Sequence, residues 1–178
     1  MGHFFFVRHG ETVWNVENKI CGMTDIGLTE KGFEQARITA EKIRDEHLDA
    51  TMILSSPLSR ARDTAAAIAR ATGLPMRTDE RLREQCFGIY EATPRDGEEF
   101  YQAKMHFADR YGDGESMLQT AHRVYSLLDE ITAQDDQVYI LVAHNGLARI
   151  VQSYFVPMEN DEFAGFGLKN CEIRRYDY

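Results

Sequence analysis

Short apolar segments of strand character alternate with longer helical segments along this chain, and this alternation constrains the fold more than any other feature. The strand patterns lie at 4–7, 51–54, 138–143 and 171–176. The helical patterns lie at about 29–47, 56–73, 116–131 and 147–155. Ser56 and Pro57 are predicted to cap and open the second of these helices. Strands that alternate with helices are typical of an α/β domain with a largely parallel sheet, and we expect that class of fold.

The length and composition fit one globular domain. The chain has 178 residues, of which 43% are apolar and 28% are charged, and a chain of this length can bury a substantial core. We therefore expect a single domain over 1–178. Within it, the polar stretch at about 91–115 contains Pro94, Gly97, Gly112 and Gly114, which predicts a small flap.

The charge and the cysteines argue against several classes of partner. The formal net charge is −9, and an acidic surface repels nucleic acid and anionic lipid. No apolar run is long enough to cross a bilayer. Cys21, Cys86 and Cys171 match no zinc or disulfide spacing, as is typical of reduced thiols in the cytoplasm. We expect a cytoplasmic protein without nucleic-acid or membrane partners, and the sequence does not indicate its oligomeric state.

Two histidines directly follow two of the predicted strands. His9, preceded by Arg8, ends the first strand, and His144 ends the strand at 138–143. In parallel α/β sheets, ligands bind outside the carboxyl ends of the strands. If these two strands are neighbours, both imidazoles lie at one edge of the sheet, where a ligand would bind.

The residues around these histidines suit a phosphorylated ligand. A neutral imidazole is a good nucleophile near neutral pH, and the Arg8 guanidinium offers several donors to phosphate oxygens. Arg60 lies in the first turn of a predicted helix, where anions are favoured. Glu84 can enter the pocket as a proton donor. Taken alone, each of these residues has a simpler interpretation, as a buried structural histidine or a solvated charge.

The order of these segments resembles the histidine phosphatase superfamily, which includes cofactor-dependent phosphoglycerate mutases and broad-specificity phosphatases. The matching segments, which cover nearly the whole chain, are Arg8-His9-Gly10-Glu11-Thr12 with Trp14-Asn15, Asp25 and Leu28-Thr29 before Gly32, Ser56-Pro57-Leu58-Ser59-Arg60-Ala61, Leu82-Arg83-Glu84 with Gly88, Gly114-Glu115-Ser116, and Val142-Ala143-His144-Asn145-Gly146. The resemblance implies a phosphoglycerate mutase-like α/β fold, a three-layer sandwich with a mostly parallel central sheet and helices on both faces.

The resemblance also implies a role for each matching residue. His9 would accept the phosphoryl group, and Glu84 would protonate the leaving oxygen and later deprotonate water. The catalytic residues would be His9, Glu84, His144, Arg8 and Arg60. The substrate-binding residues would be Asn15, Cys21, Gly22 and Asn145. The implied activity is that of a phosphomonoester hydrolase that needs no metal and no cofactor and acts on a small phosphorylated substrate.

Several departures from the mutases favour hydrolysis. Gln85 stands where the mutases carry an arginine, and the segment before Ser116 is short. The arginine pair that mutases use for the substrate carboxylate has no clear match, because Arg95 and Arg110 are single and well separated. A mutase has to hold its phosphoenzyme and exclude water. In addition, Cys21 stands where relatives often place a polar side chain, and a thiol is a weak hydrogen-bonding group.

Three alternatives stay open at this point. A phosphoglycerate mutase-type transferase would use the same catalytic residues. A metal hydrolase would need ligands with a spacing such as HExxH, which does not occur, and two arginines would repel the cation. A non-catalytic phosphate-binding module would not need both His9 and Glu84. The other histidines (His3, His47, His106 and His122) are expected near the surface, and the sequence does not select the phosphomonoester.

Overall fold

The computed structural model of the protein describes residues 2–134 and 136–178. Its strands are β1 (His3–Arg8), β2 (Met52–Ser55), β3 (Met76–Thr78), β4 (Tyr139–Ala143) and β5 (Ile173–Asp177). Its helices are α1 (Val13–Val16), α2 (Glu30–Asp45), α3 (Ser59–Thr72), α4 (Glu98–Ala103), α5 (Met117–Thr132), α6 (Asn145–Phe155) and α7 (Asn160–Gly165). None of the helices in the described ranges has the length and apolar composition needed to cross a membrane.

The five strands form one sheet in the order β3-β2-β4-β1-β5. β1 to β4 run parallel to one another, and β5 pairs with β1 in the antiparallel direction. β1 and β4 are direct neighbours, with Arg8 opposite Ala143 at their carboxyl ends. The predicted α/β class with a mostly parallel sheet is confirmed, and the residues that follow β1 and β4 leave the sheet side by side.

Helices cover both faces of this sheet. Phe4 and Phe6 of β1 pack in one apolar cluster with α5 and α6, whereas Phe5 and Val7 pack in another with α2 and α3. All four side chains are buried. Because both faces are covered, the strands are continuous apolar runs rather than alternations of polar and apolar residues.

Side-chain caps explain where α2 and α5 begin. The Thr29 hydroxyl oxygen accepts a hydrogen bond from the Gly32 amide at the start of α2, as the sequence predicts. Ser116 forms a capping box with Gln119 at the start of α5. α6 starts two residues earlier than predicted, directly after His144.

The predicted start of α3 is wrong. The helix begins at Ser59 after Leu58, which makes no side-chain capping bond. The Ser56 hydroxyl oxygen, predicted to cap the helix, accepts a hydrogen bond from the Leu58 amide at 3.3 Å, just before the helix, and also lies 2.7 Å from Nε2 of His144. Ser56 therefore bonds both to the turn before the helix and to a buried imidazole, and Pro57 lies outside the helix.

The stretch at 91–115 is packed more tightly than its composition suggests. Phe100 of α4 and Tyr111 pack against Ile20 and Phe87 in a third apolar cluster. The Ile20 amide also donates to the carbonyl of Thr93 at 2.8 Å. These contacts place the stretch beside the segment that follows β1.

For one of the four remaining histidines, the predicted position near the surface is wrong. His3 is buried at the start of β1, and its Nε2 lies 2.9 Å from a carboxylate oxygen of Asp49. His47, His106 and His122 are exposed, as expected.

Candidate active site

The two strand-end histidines meet at the edge between β1 and β4. Their ring centroids are 5.2 Å apart, and both rings are buried. The meeting follows from the sheet order, because His9 and His144 come directly after neighbouring parallel strands. The structure thus brings together two imidazoles from opposite halves of the chain.

A hydrogen bond fixes the tautomer of His9. Its Nδ1 atom lies 2.7 Å from the backbone carbonyl oxygen of Gly10. A carbonyl oxygen can only accept, so Nδ1 carries the proton and Nε2 keeps a free lone pair. The same bond orients the ring, which leaves Nε2 as the nucleophilic atom of this side chain.

Two buried guanidinium groups flank the imidazoles. Arg8 donates from Nη1 to the carbonyl of Leu168. Arg60 donates to the carbonyls of Thr24 at 3.0 Å and Gly22 at 2.6 Å. In the described part of the chain, neither arginine forms a salt bridge, and the Nε atom of each is buried without a partner. A buried cation held only by carbonyls favours an anionic ligand, because burying an unpaired charge is costly.

Burial and these arginines keep both imidazoles neutral. Burial, followed by the charges of Arg60 and Arg8, lowers the pKa of His9 well below its usual value. Burial, Arg60 and His9 lower the pKa of His144 in the same way. Burial also lowers the pKa of Arg8, to about 10, so this guanidinium stays charged near neutral pH. The site therefore combines neutral nitrogen bases with positive charge.

We expect the lowered histidine pKa values to make stability depend on pH. Below about pH 6.5, the unfolded chain binds protons that the buried imidazoles of the native state do not bind, so the free energy of unfolding rises with pH in this window and falls on acidification. Urea unfolding at about pH 7.5 and about pH 5.5 measures the difference. His144→Gln should reduce it and His47→Gln, at an exposed position, should not; equal differences in both variants would contradict the assignment.

The Glu84 carboxylate lies against the backbone of Gly146 at the start of α6. It is 4% exposed. Its Oε2 accepts from the Gly146 amide at 2.9 Å, and its Oε1 accepts from the Gln85 amide at 2.9 Å. A Cβ atom at position 146 would overlap Oε1 of Glu84, so glycine is needed for this close approach. Two backbone amides therefore hold the carboxylate at the start of α6, where His144 precedes the helix.

A second network holds the backbone that carries Glu84. Arg123 of α5 donates to the Glu84 carbonyl at 3.2 Å and, at 2.7 Å, to two carbonyls just before it, those of Arg81 and Arg83. Glu115 pairs with Arg123 and also accepts from the Cys86 amide at 2.9 Å. The glutamate of the Gly114-Glu115-Ser116 segment thus supports the position of Glu84.

The loop at 21–24 holds Arg60 and is itself held by Glu91. The Glu91 carboxylate accepts hydrogen bonds from the amides of Gly22, Met23, Thr24 and Phe87. Carbonyls of the same loop hold the Arg60 guanidinium. Cys21 opens this loop, and burial raises the pKa of its thiol to about 11, which keeps it protonated.

The two asparagines expected to bind substrate also have structural contacts. The Asn15 side-chain oxygen accepts from the Thr12 amide at 3.0 Å and from Nδ2 of Asn170 at 3.2 Å. Asn170 also donates to the carbonyl of His9 at 3.0 Å. The Asn145 side-chain oxygen accepts from the amide of Leu168 at 2.8 Å. Asn15 therefore contacts the side chain that bonds to the His9 carbonyl, and Asn145 holds Leu168, whose carbonyl accepts from Arg8.

Comparison with known proteins decides the family. The model of the histidine phosphatase superfamily (branch 1) matches residues 4–178. The chain belongs to this superfamily. The probable phosphoglycerate mutase GpmB of Yersinia pestis is 36% identical over 184 residues, which cover 98% of this chain and 84% of that protein.

Two solved structures extend the comparison of this histidine phosphatase superfamily member. A mycobacterial glucosyl-3-phosphoglycerate phosphatase has a TM-score of 0.84 and 27% identity, covering 98% of this chain and 89% of the other. Phosphoserine phosphatase of Entamoeba histolytica, solved in complex with 3-phosphoglyceric acid, has a TM-score of 0.81 and 29% identity, covering 98% and 90%. The fold expected from the resemblance is confirmed.

A cavity of about 260 Å³ opens beside this superfamily site, and cationic residues not predicted for the site line it. Cys21, Glu84, Asn145 and Gly146 belong to its wall. Arg95, Lys104 and Arg149 also line it, whereas Arg110 bonds to carbonyls of its own turn. In the sequence, only Arg149 of these three cations stands out, because it interrupts the apolar stretch 147–151. A larger depression of about 620 Å³ beside α2 contains none of the predicted site residues.

No group of three or more His, Cys, Asp or Glu side chains within the described ranges is arranged to hold a metal ion.

Proposed function

We propose that the protein is a phosphomonoester hydrolase that forms a covalent phosphohistidine on His9. The observation that carries the proposal is the pairing of two neutral, buried imidazoles with two buried guanidinium groups that lack carboxylate partners in the described part of the chain. Phosphoryl transfer needs mainly positioning and stabilisation of negative charge. Membership of the superfamily supports the same chemistry.

In the first step, Nε2 of His9 attacks the phosphorus atom and the bond to the leaving oxygen breaks. Arg8 and Arg60 neutralise the charge on the phosphoryl oxygens. A hydroxyl can donate to Nε2 of His144, which lies 2.7 Å from the Ser56 oxygen. The proton of neutral His144 then resides on Nδ1, which has no protein partner among the described residues and can donate to a phosphoryl oxygen.

The leaving group departs, and the water later attacks, on the side of the phosphoryl group opposite His9. Both steps need proton transfer there. An alkoxide is a poor leaving group, so protonated Glu84 donates a proton as the bond breaks. In the second step the Glu84 carboxylate takes a proton from water, water attacks the phosphohistidine, and inorganic phosphate leaves. Two steps of this kind replace one harder direct displacement by water.

A phosphoglycerate mutase-type transferase is the second candidate. It shares the first step and differs only in whether the phosphoryl group passes to water or to a second hydroxyl. The name of the Yersinia relative favours it, whereas the two phosphatase structures favour hydrolysis. Incubation with 3-phosphoglycerate separates the two, since a phosphatase releases phosphate and a mutase forms 2-phosphoglycerate. Isomerisation with little phosphate release would select the mutase.

Trapping of the phosphoenzyme tests the proposed mechanism. The native protein is mixed with a ³²P-labelled phosphomonoester and quenched in alkaline detergent, because the nitrogen–phosphorus bond is labile to acid. We expect label on the protein that survives alkali, is lost in acid and forms equally in excess chelator. An unlabelled protein that still turns over substrate, or activity that chelator removes and a divalent metal restores, would refute the metal-independent covalent route.

We also propose that the segment 91–115 acts as the flap of the site. Phe100 and Lys104, both from this segment, line the cavity next to Glu84. Closure of such a segment over a bound ester would exclude water until the leaving group has departed. The single domain and the cytoplasmic location stay predictions from the sequence.

A further inference from the structure

We propose that the cavity beside Glu84 binds a second anionic group of the substrate, so that the preferred substrates are small phosphomonoesters that also carry a carboxylate or a second phosphate. The inference rests on the proposed function, because it assigns the part of the ester that is not transferred. It is carried by three cationic side chains of the cavity wall, Arg95, Lys104 and Arg149.

Arg149 is the strongest of these observations. Its side chain lies on α6 and is only 9% exposed. It makes one long hydrogen bond, from Nη1 to the Ala164 carbonyl at 3.4 Å, and its Nε has no partner within the described residues. A guanidinium has five N–H donors. A buried guanidinium with so few acceptors is unfavourable unless an anion completes it.

The other two cations strengthen the positive potential of the cavity. Arg95 is held by one hydrogen bond, from Nε to the carbonyl of Lys19 at 2.9 Å. Lys104 lies over the Phe100 ring, 5.3 Å from its centroid. Burial and the charge of Arg149 lower the pKa of Lys104, so these cations are close enough to repel one another. Among the described residues of the wall, Glu84 is the only carboxylate.

The positive charge of Arg95 acts both in the cavity and at the phosphoryl site. Burial is the main cause that lowers the pKa values of Arg8, His9 and Arg149, and the charge of Arg95 adds to the lowering in all three. Arg95 therefore lies within electrostatic reach of both positions. A ligand with two anionic groups can pair with the positive charge at both positions, whereas phosphate alone can pair with only one of them.

The size and walls of the cavity limit the ligand. Its volume of about 260 Å³ is below the range typical of drug-sized ligands, so a short carbon chain fits between the two anions. Phe87, Phe100 and Phe166 contribute apolar walls. Such walls strengthen the attraction between the cations and a carboxylate or phosphate, because they lower the local dielectric constant.

Matched substrates test the inference on the native protein. 3-Phosphoglycerate and glycerol 3-phosphate differ only in a carboxylate that replaces a hydroxymethyl group, and phosphoserine and phosphoethanolamine form a second pair. Glycerol 1,3-bisphosphate tests a second phosphate as the source of the anion. We expect the member that carries the second anion to exceed the partner that lacks it in kcat/KM by at least about 10-fold, as for a charge-assisted hydrogen bond; for the bisphosphate, the partner is glycerol 3-phosphate.

Variants assign the effect to the cavity. Arg149→Met removes the charge at similar length and should lower kcat/KM for 3-phosphoglycerate by about 10- to 100-fold. It should change kcat/KM for glycerol 3-phosphate by less than about threefold, and Arg149→Lys should restore part of the loss. Arg70→Met, at an exposed position in the last turn of α3, is the matched control and should change neither value.

The outcomes separate this inference from the proposed function. Equal kcat/KM values within each native pair, or an Arg149→Met loss of the same size for both members, would overturn the second-anion site while hydrolysis of simple esters continued. Failure of the native protein to hydrolyse any ester or to form a phosphoenzyme would instead overturn the proposed function. If Arg149→Met does not fold, as judged by circular dichroism, Lys104→Met and the native pairs decide.

Discussion

Replacing His9 by alanine is expected to lower kcat by at least about 10³-fold and to abolish labelling of the protein by a ³²P-phosphomonoester. Nε2 of His9 is the atom that forms the bond to phosphorus in the proposed mechanism, and its lone pair is fixed by the bond from Nδ1 to the Gly10 carbonyl. Alanine provides no nucleophile. His144 is not expected to replace it, because its Nε2 is engaged by the Ser56 hydroxyl.

Controls distinguish loss of the nucleophile in His9→Ala from loss of the folded structure. His9→Ala is compared with His47→Ala, in which an exposed histidine is removed, and both are checked by circular dichroism and thermal unfolding. Binding of inorganic phosphate or vanadate by calorimetry should persist in His9→Ala, since Arg8 and Arg60 remain. A folded His9→Ala protein with kcat within about tenfold of the native value, or with undiminished label, would exclude His9 as the nucleophile.

Replacing Glu84 by glutamine is expected to lower kcat for alkyl phosphates by about 10²- to 10⁴-fold, the range typical of general acid–base catalysis. The amide keeps the size of the carboxylate and one oxygen for the Gly146 amide, which now bonds to Oε2. It cannot protonate the leaving alkoxide or accept a proton from water. The phosphoenzyme should therefore form slowly from glycerol 3-phosphate.

The leaving group distinguishes an acid from a merely structural residue. p-Nitrophenolate leaves without protonation, so the rate of phosphoenzyme formation from p-nitrophenyl phosphate should fall less than about tenfold in Glu84→Gln. Rapid-quench measurements with both esters give the two rates. Glu80→Gln, which removes an exposed carboxylate, is the matched control. Equal losses for both esters would assign Glu84 to positioning, and no loss for either would remove it from the mechanism.

Four of the five strands, all but β3, and the four longest helices were predictable because local patterns encode them. The apolar runs of β1 and β4 are continuous since both faces of the sheet are buried, and Thr29 and Ser116 cap α2 and α5 through bonds within four residues. α3 shows the limit of this reasoning. Ser56 keeps a local bond from the Leu58 amide, but the helix begins only at Ser59, and the Ser56 hydroxyl also contacts a residue 88 positions away.

The sequence shows no arginine pair for a substrate carboxylate in the stretch before Ser116. Arg95 and Arg110 are indeed separated, and only Arg95 reaches the cavity. Its companions are Lys104 of the flap and Arg149 of α6. The missing arginine pair therefore does not argue against a carboxylate-bearing substrate, and the choice between hydrolysis and mutase activity depends on the fate of the phosphoenzyme.

The amino-acid sequence by itself determined the α/β class, the positions of His9 and His144 at strand ends and the identity of the superfamily, because strand runs, caps and short motifs are local properties. Only the tertiary structure decided that Ser56 serves His144, that Glu91 holds the loop around Arg60 and that Arg149 faces the site cavity. These relations join residues far apart in the chain, and the packing of helices on a sheet of defined strand order brings them within bonding distance.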